Sequence, residues 1–126
     1  RVPGSSDYFK GGVIAYSDEL KKKLLKVRAG TLRAHGAVSE PVAIEMAAGV
    51  RATCRSDFGL SITGIAGPGG GTEEKPAGTV YVAMSGPDGE RSRLHRFPGS
   101  RGSVRSAAAQ AALDLLRSAL MGLDDQ

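Results

Sequence analysis

The chain has 126 residues, of which 40% are hydrophobic and 24% charged, so it fits one soluble domain and is too short for two independent cores. It contains neither the run of about 20 apolar residues that a membrane span needs nor the pattern of a secretory signal. Its one cysteine, Cys54, excludes an internal disulfide and a cysteine-held metal cluster. We therefore expect a cytoplasmic protein. The net charge of +4 comes from residues 1–35, but the absence of Trp and the scattering of the other aromatics argue against nucleic-acid binding.

Helices and short strands alternate in the predicted element order. The chain begins on loop-type residues without a Met, so we expect the first elements of the domain to be missing from this sequence. The pattern predicts a short helix at 5–9, a strand at 13–16, helices at 17–27, 31–35 and 39–55, a strand at 60–63, a glycine-rich loop at 64–78, strands at 79–84 and 91–97, and a helix capped by Ser103. The helical crossover between the strands at 13–16 and 60–63 indicates an α/β fold with a mixed sheet.

Lys21 differs from the other lysines of the predicted helix at 17–27. At 100° per residue, Leu20, Leu24 and Val27 form an apolar stripe, and Lys21 is flanked by apolar neighbours while the other lysines lie on the solvent side. Desolvation lowers the pKa of a lysine, as a lysine general base requires. We therefore expect Lys21 to be partly buried and to have catalytic potential, although a lysine that merely extends its amine to solvent fits the same pattern.

Ser6 and Tyr16 are the candidate partners of Lys21. A serine hydroxyl is a poor nucleophile until a base activates it, and a neutral lysine within hydrogen-bond reach can do so. Tyr16 ends the strand at 13–16, and ligands of open α/β sheets bind at the carboxyl ends of strands. The alternatives are a helix cap for Ser6 and a half-buried strand aromatic for Tyr16.

The glycine-rich loop is a candidate ligand loop, because it directly follows a strand. Its spacing matches neither a Walker A loop nor a dinucleotide fingerprint. Its main-chain N–H groups can still bind an anion or a developing oxyanion. The candidate substrate-binding residues here are Thr63, Gly64, Gly67, Gly69 and Gly70. A flexible connector is the alternative. We expect Glu73, Glu74 and Lys75 to form a solvated tip.

Arg101 and Arg105 flank the predicted start of the last helix. Cations are unfavourable at this positive end of the helix dipole, which suggests that they bind a phosphate or carboxylate. In a second interpretation Arg101 lies near Lys21 and repels its charge, and in a third both arginines are simply exposed. His35 and His95 lack a partner at metal-ligand spacing, and we interpret both as structural.

Five segments, in order and over nearly the whole chain, resemble the CinA C-terminal domain, the nicotinamide-nucleotide amidohydrolase (NMN deamidase) family of competence- and damage-inducible proteins. They are Pro3-Gly4-Ser5-Ser6-Asp7-Tyr8-Phe9, Gly11-Gly12-Val13-Ile14-Ala15-Tyr16-Ser17, His35-Gly36-Ala37-Val38-Ser39-Glu40, Thr63-Gly64-Ile65-Ala66-Gly67-Pro68-Gly69-Gly70-Gly71-Thr72 and Lys75-Pro76-Ala77-Gly78-Thr79-Val80-Tyr81. The resemblance implies a three-layer α/β/α sandwich, a homodimer and no required metal. We expect no other cofactor and no nucleic-acid or membrane partner. It also implies hydrolysis of nicotinamide mononucleotide (NMN) to nicotinate mononucleotide and ammonia in pyridine-nucleotide salvage.

The resemblance further implies a serine–lysine dyad. Ser6 matches the nucleophile of the family's Gly-Ser-Ser motif, Lys21 matches the lysine, and Tyr16 matches the tyrosine that orients the pair. Arg101 best matches an assisting arginine in a Gly-Asp-Arg motif, with Arg105 as the fallback.

This sequence departs from the family pattern in three places. Asp18 replaces a usual Asn, and Ser100 replaces a usual Asp. The family's opening strand and its Glu-Ser-Cys-Thr-Gly-Gly segment, which helps to line the substrate pocket, have no counterpart in residues 1–126. The alternative function is therefore a non-catalytic nucleotide-binding or regulatory module of a CinA-like protein.

Overall fold

The computed structural model describes Ala15 and residues 17–122, which form four helices and three strands. In chain order these are α1 (Asp18–Leu25), α2 (Ala29–His35), α3 (Glu40–Cys54), β1 (Gly59–Gly64), β2 (Thr79–Gly86), β3 (Gly89–Arg96) and α4 (Arg101–Leu120). Each element predicted within this part of the chain is present, with small shifts at its ends. The helix predicted at 5–9 lies outside the described residues, as does the strand predicted at 13–16 apart from Ala15.

The three strands form one antiparallel sheet with β2 in the centre. Gly64 of β1 is opposite Val80 of β2, and β2 continues through a tight turn into β3. The parallel pairing that would make the sheet mixed requires the strand predicted at 13–16, and therefore stays a prediction. Nearly every residue of β2 is buried, because helices cover both of its faces.

Alternate residues of β2 belong to two different hydrophobic clusters. Val80, Val82 and Met84 pack against the buried face of α4, whereas Ala83 packs against α3. Helices α1 and α2 pack in turn on α3, on the side of the sheet away from α4. The described residues therefore form an α/β/α arrangement, and the α/β fold class is confirmed.

A close backbone approach joins α1 to α3. At Gly49 of α3, an added Cβ would lie 1.7 Å from the carbonyl oxygen of Leu25, the last residue of α1. Only a residue without a Cβ lets the two helices approach this closely. The hydroxyl of Thr53 donates to the carbonyl oxygen of Leu24 at 3.1 Å and fastens the same end of α1.

Helix α4 begins earlier than predicted. The expected cap Ser103 is wrong, since Ser100 is the N-cap and its Oγ accepts from the main-chain N of Ser103 at 3.2 Å. Ser100 has an extended backbone and precedes the first helical residue, Arg101. Serine at either position fits the capping rule.

None of the described helices is both long and apolar enough to cross a membrane.

Candidate active site

Lys21 is buried, as predicted. Its residue surface is 7% exposed, and its Nζ donates a hydrogen bond to the main-chain oxygen of Ala15 at 3.1 Å. Lys21 is the fourth residue of α1, whose N-cap Ser17 accepts a hydrogen bond from the N–H of Leu20 through its hydroxyl. The amine is therefore fixed at the start of a capped helix and beside the chain segment that leads into it.

The apolar stripe predicted for this helix is partly wrong. Leu20 and Leu24 are 38% and 42% exposed, whereas Leu25 and Val27 are buried. Lys21 and Leu25 are four residues apart and share the helix face that packs on α3. The lysine thus occupies a core-facing position where an apolar residue is usual, and this is the strongest sign that it serves more than solubility.

The other two members of the predicted catalytic group, Ser6 and Tyr16, lie outside the described residues. Their distances to Lys21 therefore stay predictions. Ala15, the hydrogen-bond partner of Lys21, is the direct chain neighbour of Tyr16.

The glycine-rich loop leaves the sheet between β1 and β2 and has a closed neck. The N–H of Ile65 donates to the oxygen of Thr79 at 2.9 Å, and the N–H of Gly78 donates to the oxygen of Ile65 at 2.6 Å. These bonds continue the β1–β2 ladder beyond its last residue pair. Residues 66–77 consequently project from the sheet as a defined loop and not as a slack connector.

Within this loop, Gly67 and Gly70 have positive φ angles of 81° and 86°. Glycine adopts this region without the steric penalty that other residues pay. Gly69 has open space where a Cβ would point. The loop can therefore expose main-chain groups that side chains would otherwise shield.

Arg101 connects the loop to α4. Its Nη1 donates to the main-chain oxygen of Gly67 at 3.3 Å, so the predicted loop residue and the predicted arginine do meet. This contact joins Arg101 to the loop. Among the described residues, no contact supports the second interpretation, in which Arg101 lies near Lys21.

A cavity of about 220 Å³ lies between β1, the start of the loop and α4. Its lining is apolar apart from Arg105, and it includes the candidate Gly64. In the described part of the chain, neither Arg101 nor Arg105 forms an ion pair. Both cations lie at the positive end of a helix without a carboxylate partner among these residues, and Arg105 also lines the cavity, which favours an anionic ligand.

Thr63 is placed differently from the other predicted binding residues. Its hydroxyl donates to the oxygen of Ala37 at 2.8 Å, in the segment between α2 and α3, and its side chain is buried. It therefore ties the end of β1 to the α3 side of the sheet, away from the cavity on the α4 side.

Comparison with known proteins identifies the family. The model of the CinA C-terminal domain matches residues 1–120. The chain is 55% identical over 124 residues to a CinA-like protein of Thermosynechococcus vestitus, and 53% identical over 123 residues to one of Mycolicibacterium paratuberculosis. The chain belongs to the CinA C-terminal domain family.

Solved structures agree with this assignment. A competence/damage inducible protein, CihA, from Agrobacterium tumefaciens is 36% identical and superposes with a TM-score of 0.90 over 93% of this chain and 72% of its own. The competence damage-inducible protein A (ComA) of Klebsiella pneumoniae is 35% identical, with the same TM-score over 95% of this chain and 74% of its own. This CinA domain matches 96% and 94% of its length to the two curated relatives, but it spans only 30% and 28% of theirs.

Lys75 of this CinA domain makes a contact that its sequence surroundings do not indicate. It was expected at a solvated tip together with Glu73 and Glu74, which are indeed exposed. Its Nζ instead donates to the main-chain oxygen of His35, the last residue of α2, at 3.0 Å. The only sequence signal was the position of a lysine beside two acidic residues, which is equally typical of a surface turn.

A second group that the sequence did not reveal centres on Glu45 of α3. Its carboxylate accepts from the main-chain N and the guanidinium of Arg28 and from the hydroxyl of Thr31. Burial alone raises the pKa of Glu45, but the hydrogen bonds from Arg28 and Thr31 and the Arg28 charge outweigh it, so the pKa is lowered overall. The cluster fastens α2 to α3 and has a structural role.

His95 fits its structural interpretation. Its ring stacks on that of Phe97 at 5.0 Å between centroids, and its buried Nε2 has no hydrogen-bond partner among the described residues. Burial and then the nearby Arg93 charge lower its pKa. Ala15 and residues 17–122 contain no group of three His, Cys, Asp or Glu side chains that could hold a metal ion.

Proposed function

We propose that this CinA-family chain is an amidohydrolase that converts NMN and water to nicotinate mononucleotide and ammonia. The observation that carries the proposal is the buried Lys21 amine, which donates a hydrogen bond to the main-chain oxygen of Ala15 and belongs to a helix whose other lysines lie towards solvent. The family membership adds support. The glycine-rich loop and Arg105 support an anion site at the cavity on the α4 side of the sheet, whereas Lys21 lies on the α3 side. We further propose a cytoplasmic homodimer that binds a small nucleotide and needs no cofactor.

In the proposed mechanism, Lys21 in its neutral form is the general base. One of its N–H groups donates to the oxygen of Ala15, which leaves the nitrogen lone pair available for the hydroxyl proton of Ser6. The Ser6 oxygen then attacks the carboxamide carbon of NMN, and Tyr16 orients the pair. The carbonyl π bond opens, and its electron pair forms a tetrahedral oxyanion.

The intermediate collapses when the Lys21 ammonium returns its proton to the departing nitrogen. The C–N bond breaks, ammonia leaves, and an ester of Ser6 remains. Lys21 then takes a proton from water, which attacks this ester. The Ser6 oxygen leaves with that proton, so the second half-reaction yields nicotinate mononucleotide and restores the enzyme.

The glycine-rich loop supplies main-chain N–H groups for the oxyanion in this proposal. Gly67, Gly69 and Gly70 are the candidates, and each such donor contributes about 3–4 kcal/mol to transition-state stabilisation in known cases. Arg105, at the cavity, is proposed to bind the substrate phosphate, and Arg101 to hold the loop through Gly67.

The test is to incubate the chain with NMN and to measure ammonia together with the nucleotide product by NMR. The wild type should release equal amounts of ammonia and nicotinate mononucleotide, whereas Ser6→Ala and Lys21→Met should lose at least 100-fold in kcat, in line with effects of removing a general base. Lys23→Met is the matched control, since Lys23 is on the same helix and exposed. Equal rates for all four proteins would refute the dyad.

A non-catalytic nucleotide-binding module is the second candidate. It is favoured by Arg105, which lines an otherwise apolar cavity and has no ion pair among the described residues, since binding of an anionic nucleotide there requires no catalysis. It predicts that calorimetry detects NMN binding, weakened by Arg105→Met, while no ammonia forms.

A further inference from the structure

Lys75 brings the glycine-rich loop into contact with the far side of the sheet. Its amine reaches across 40 positions of sequence to the carbonyl oxygen of His35. That oxygen belongs to the last turn of α2, where carbonyl groups lack helical partners and carry the negative end of the helix dipole. A lysine ammonium is the group that such a position favours.

The main chain around Lys75 is itself held in place. The N–H of Thr72 donates to the oxygen of Lys75 at 2.9 Å, and the N–H of Lys75 donates to the hydroxyl of Thr72 at 3.0 Å. The tip of the loop is thus a closed turn that directs the lysine side chain. This turn makes Lys75 part of the loop's framework.

The acceptor of this contact, at the end of α2, is also held in place. Helix α2 is tied to α3 by the Glu45 cluster, and the segment that follows it accepts the hydroxyl of Thr63 through the oxygen of Ala37. Lys75 therefore connects the loop to an anchored part of the α3 side of the sheet. Arg101 holds the same loop from the α4 side through Gly67.

We propose that Lys75 is a positioning residue, which together with Arg101 fixes the glycine-rich loop from both sides of the sheet so that its N–H groups are preorganised for the substrate. This inference rests on the proposed amidohydrolase function. A loop of residues 65–78 with five glycines has many accessible conformations, and two cationic contacts remove much of that freedom before substrate binds.

Unlike the loss of a residue that only stabilises the fold, loss of the Lys75 contact should affect kcat more than stability. Its contact is exposed, so its loss should change the free energy of unfolding by less than about 1 kcal/mol. Misplaced oxyanion donors should instead lower kcat by roughly 10- to 100-fold, since a displacement near 1 Å can have that effect. KM should change less than kcat because the loop donors act mainly in the transition state.

The experiment compares wild type, Lys75→Met, Lys75→Arg and the control Lys23→Met in two assays. The first is amide hydrogen exchange by NMR at Thr72 and Gly78, whose N–H groups are hydrogen bonded in the loop. Lys75→Met should accelerate exchange at Thr72 several-fold, and Lys75→Arg, which retains a donor for the His35 oxygen, should restore protection. The second assay is the kcat and KM for NMN, where Lys75→Met should lower kcat and Lys75→Arg should recover most of it.

The two assays separate the possible failures. If wild type releases no ammonia from NMN, the proposed function fails, and the exchange data alone decide whether Lys75 fixes the loop. Unchanged exchange in Lys75→Met overturns the inference whatever the activity. Faster exchange with an unchanged kcat also overturns it, because the contact then has no part in positioning.

Discussion

Gly49→Ala should separate helix α1 from α3 and so displace Lys21. The new Cβ would lie 1.7 Å from the carbonyl oxygen of Leu25 and 2.5 Å from its carbon, whereas real Cβ atoms are almost never closer than 3.0 Å to such atoms. The obstacle is main chain on a packed helix, so no side-chain rotation relieves the overlap. The end of α1 has to move by more than an ångström.

The magnitude follows from two opposing effects. Alanine stabilises a helix interior by about 1 kcal/mol relative to glycine. Overpacking typically destabilises a protein by about 1–3 kcal/mol, and we place this clash at or above the upper end because the contacted atoms are backbone. The net change should be a loss of at least about 2 kcal/mol, since the overlap outweighs the gain in propensity.

Urea unfolding followed by circular dichroism measures this change. Gly30→Ala is the matched control, because Gly30 is also helical and its added Cβ would contact only the end of the Arg33 side chain at 3.8 Å. The control should be as stable as wild type or up to about 1 kcal/mol more stable. If Gly49→Ala had an unchanged or higher midpoint, the packing described for α1 would be incorrect.

Three further predictions concern single side chains. Glu45→Gln should lower the free energy of unfolding by about 1–2 kcal/mol at pH 7 and by progressively less below pH 4.5, because a lowered carboxylate pKa stabilises only the ionised form. A loss of stability relative to wild type that does not change with pH in urea unfolding would contradict this. His95→Phe should keep the contact with Phe97 and raise stability by about 1 kcal/mol. The variant should also lose less stability than the wild type as the pH falls below 6.5, because it lacks the imidazole whose pKa is lowered. A pH profile of Tm identical to that of the wild type would contradict this. Arg105→Met should raise the KM for NMN roughly tenfold with little change in kcat, and Arg105→Lys should reverse part of this increase in KM. A KM of Arg105→Met equal to that of the wild type would exclude the phosphate contact.

Much of the fold could be predicted from local sequence signals. Residues 79–84 were correctly predicted as a strand, and the structure places them in β2, the middle strand of the described sheet, between two helical layers. Val104, Ala108, Ala111 and Leu115 recur at helical spacing in the sequence, and all four are buried in α4. These features depend on periodicity within one element, which the sequence contains directly.

The details that escaped prediction depend on contacts between elements. Leu20 and Leu25 have equal apolar character, and only the position of α3, set by the close approach at Gly49, determines which of them is buried. Lys75 is adjacent to two acidic residues in sequence, yet its partner is a main-chain carbonyl contributed by α2. Main-chain acceptors have no sequence signature, so no spacing rule identifies such a contact.

The candidate site likewise has some features that the sequence predicts and others that depend on contacts between elements. Burial of Lys21 followed from its flanking residues, whereas the contact of Arg101 with Gly67 was not predicted. The cavity beside Arg105 could not be predicted, because it depends on how α4 crosses β1. Ser6 and Tyr16 stay predictions from the sequence.

The most direct test of the serine–lysine account is a double-mutant cycle on ammonia release from NMN. If Ser6 and Lys21 act as one unit, Ser6→Ala, Lys21→Met and the double variant should all have nearly the same residual rate, because removing either member already abolishes the shared step. Losses that multiply in the double variant, or a Lys21→Met rate equal to wild type, would contradict the claim that this buried amine activates the serine.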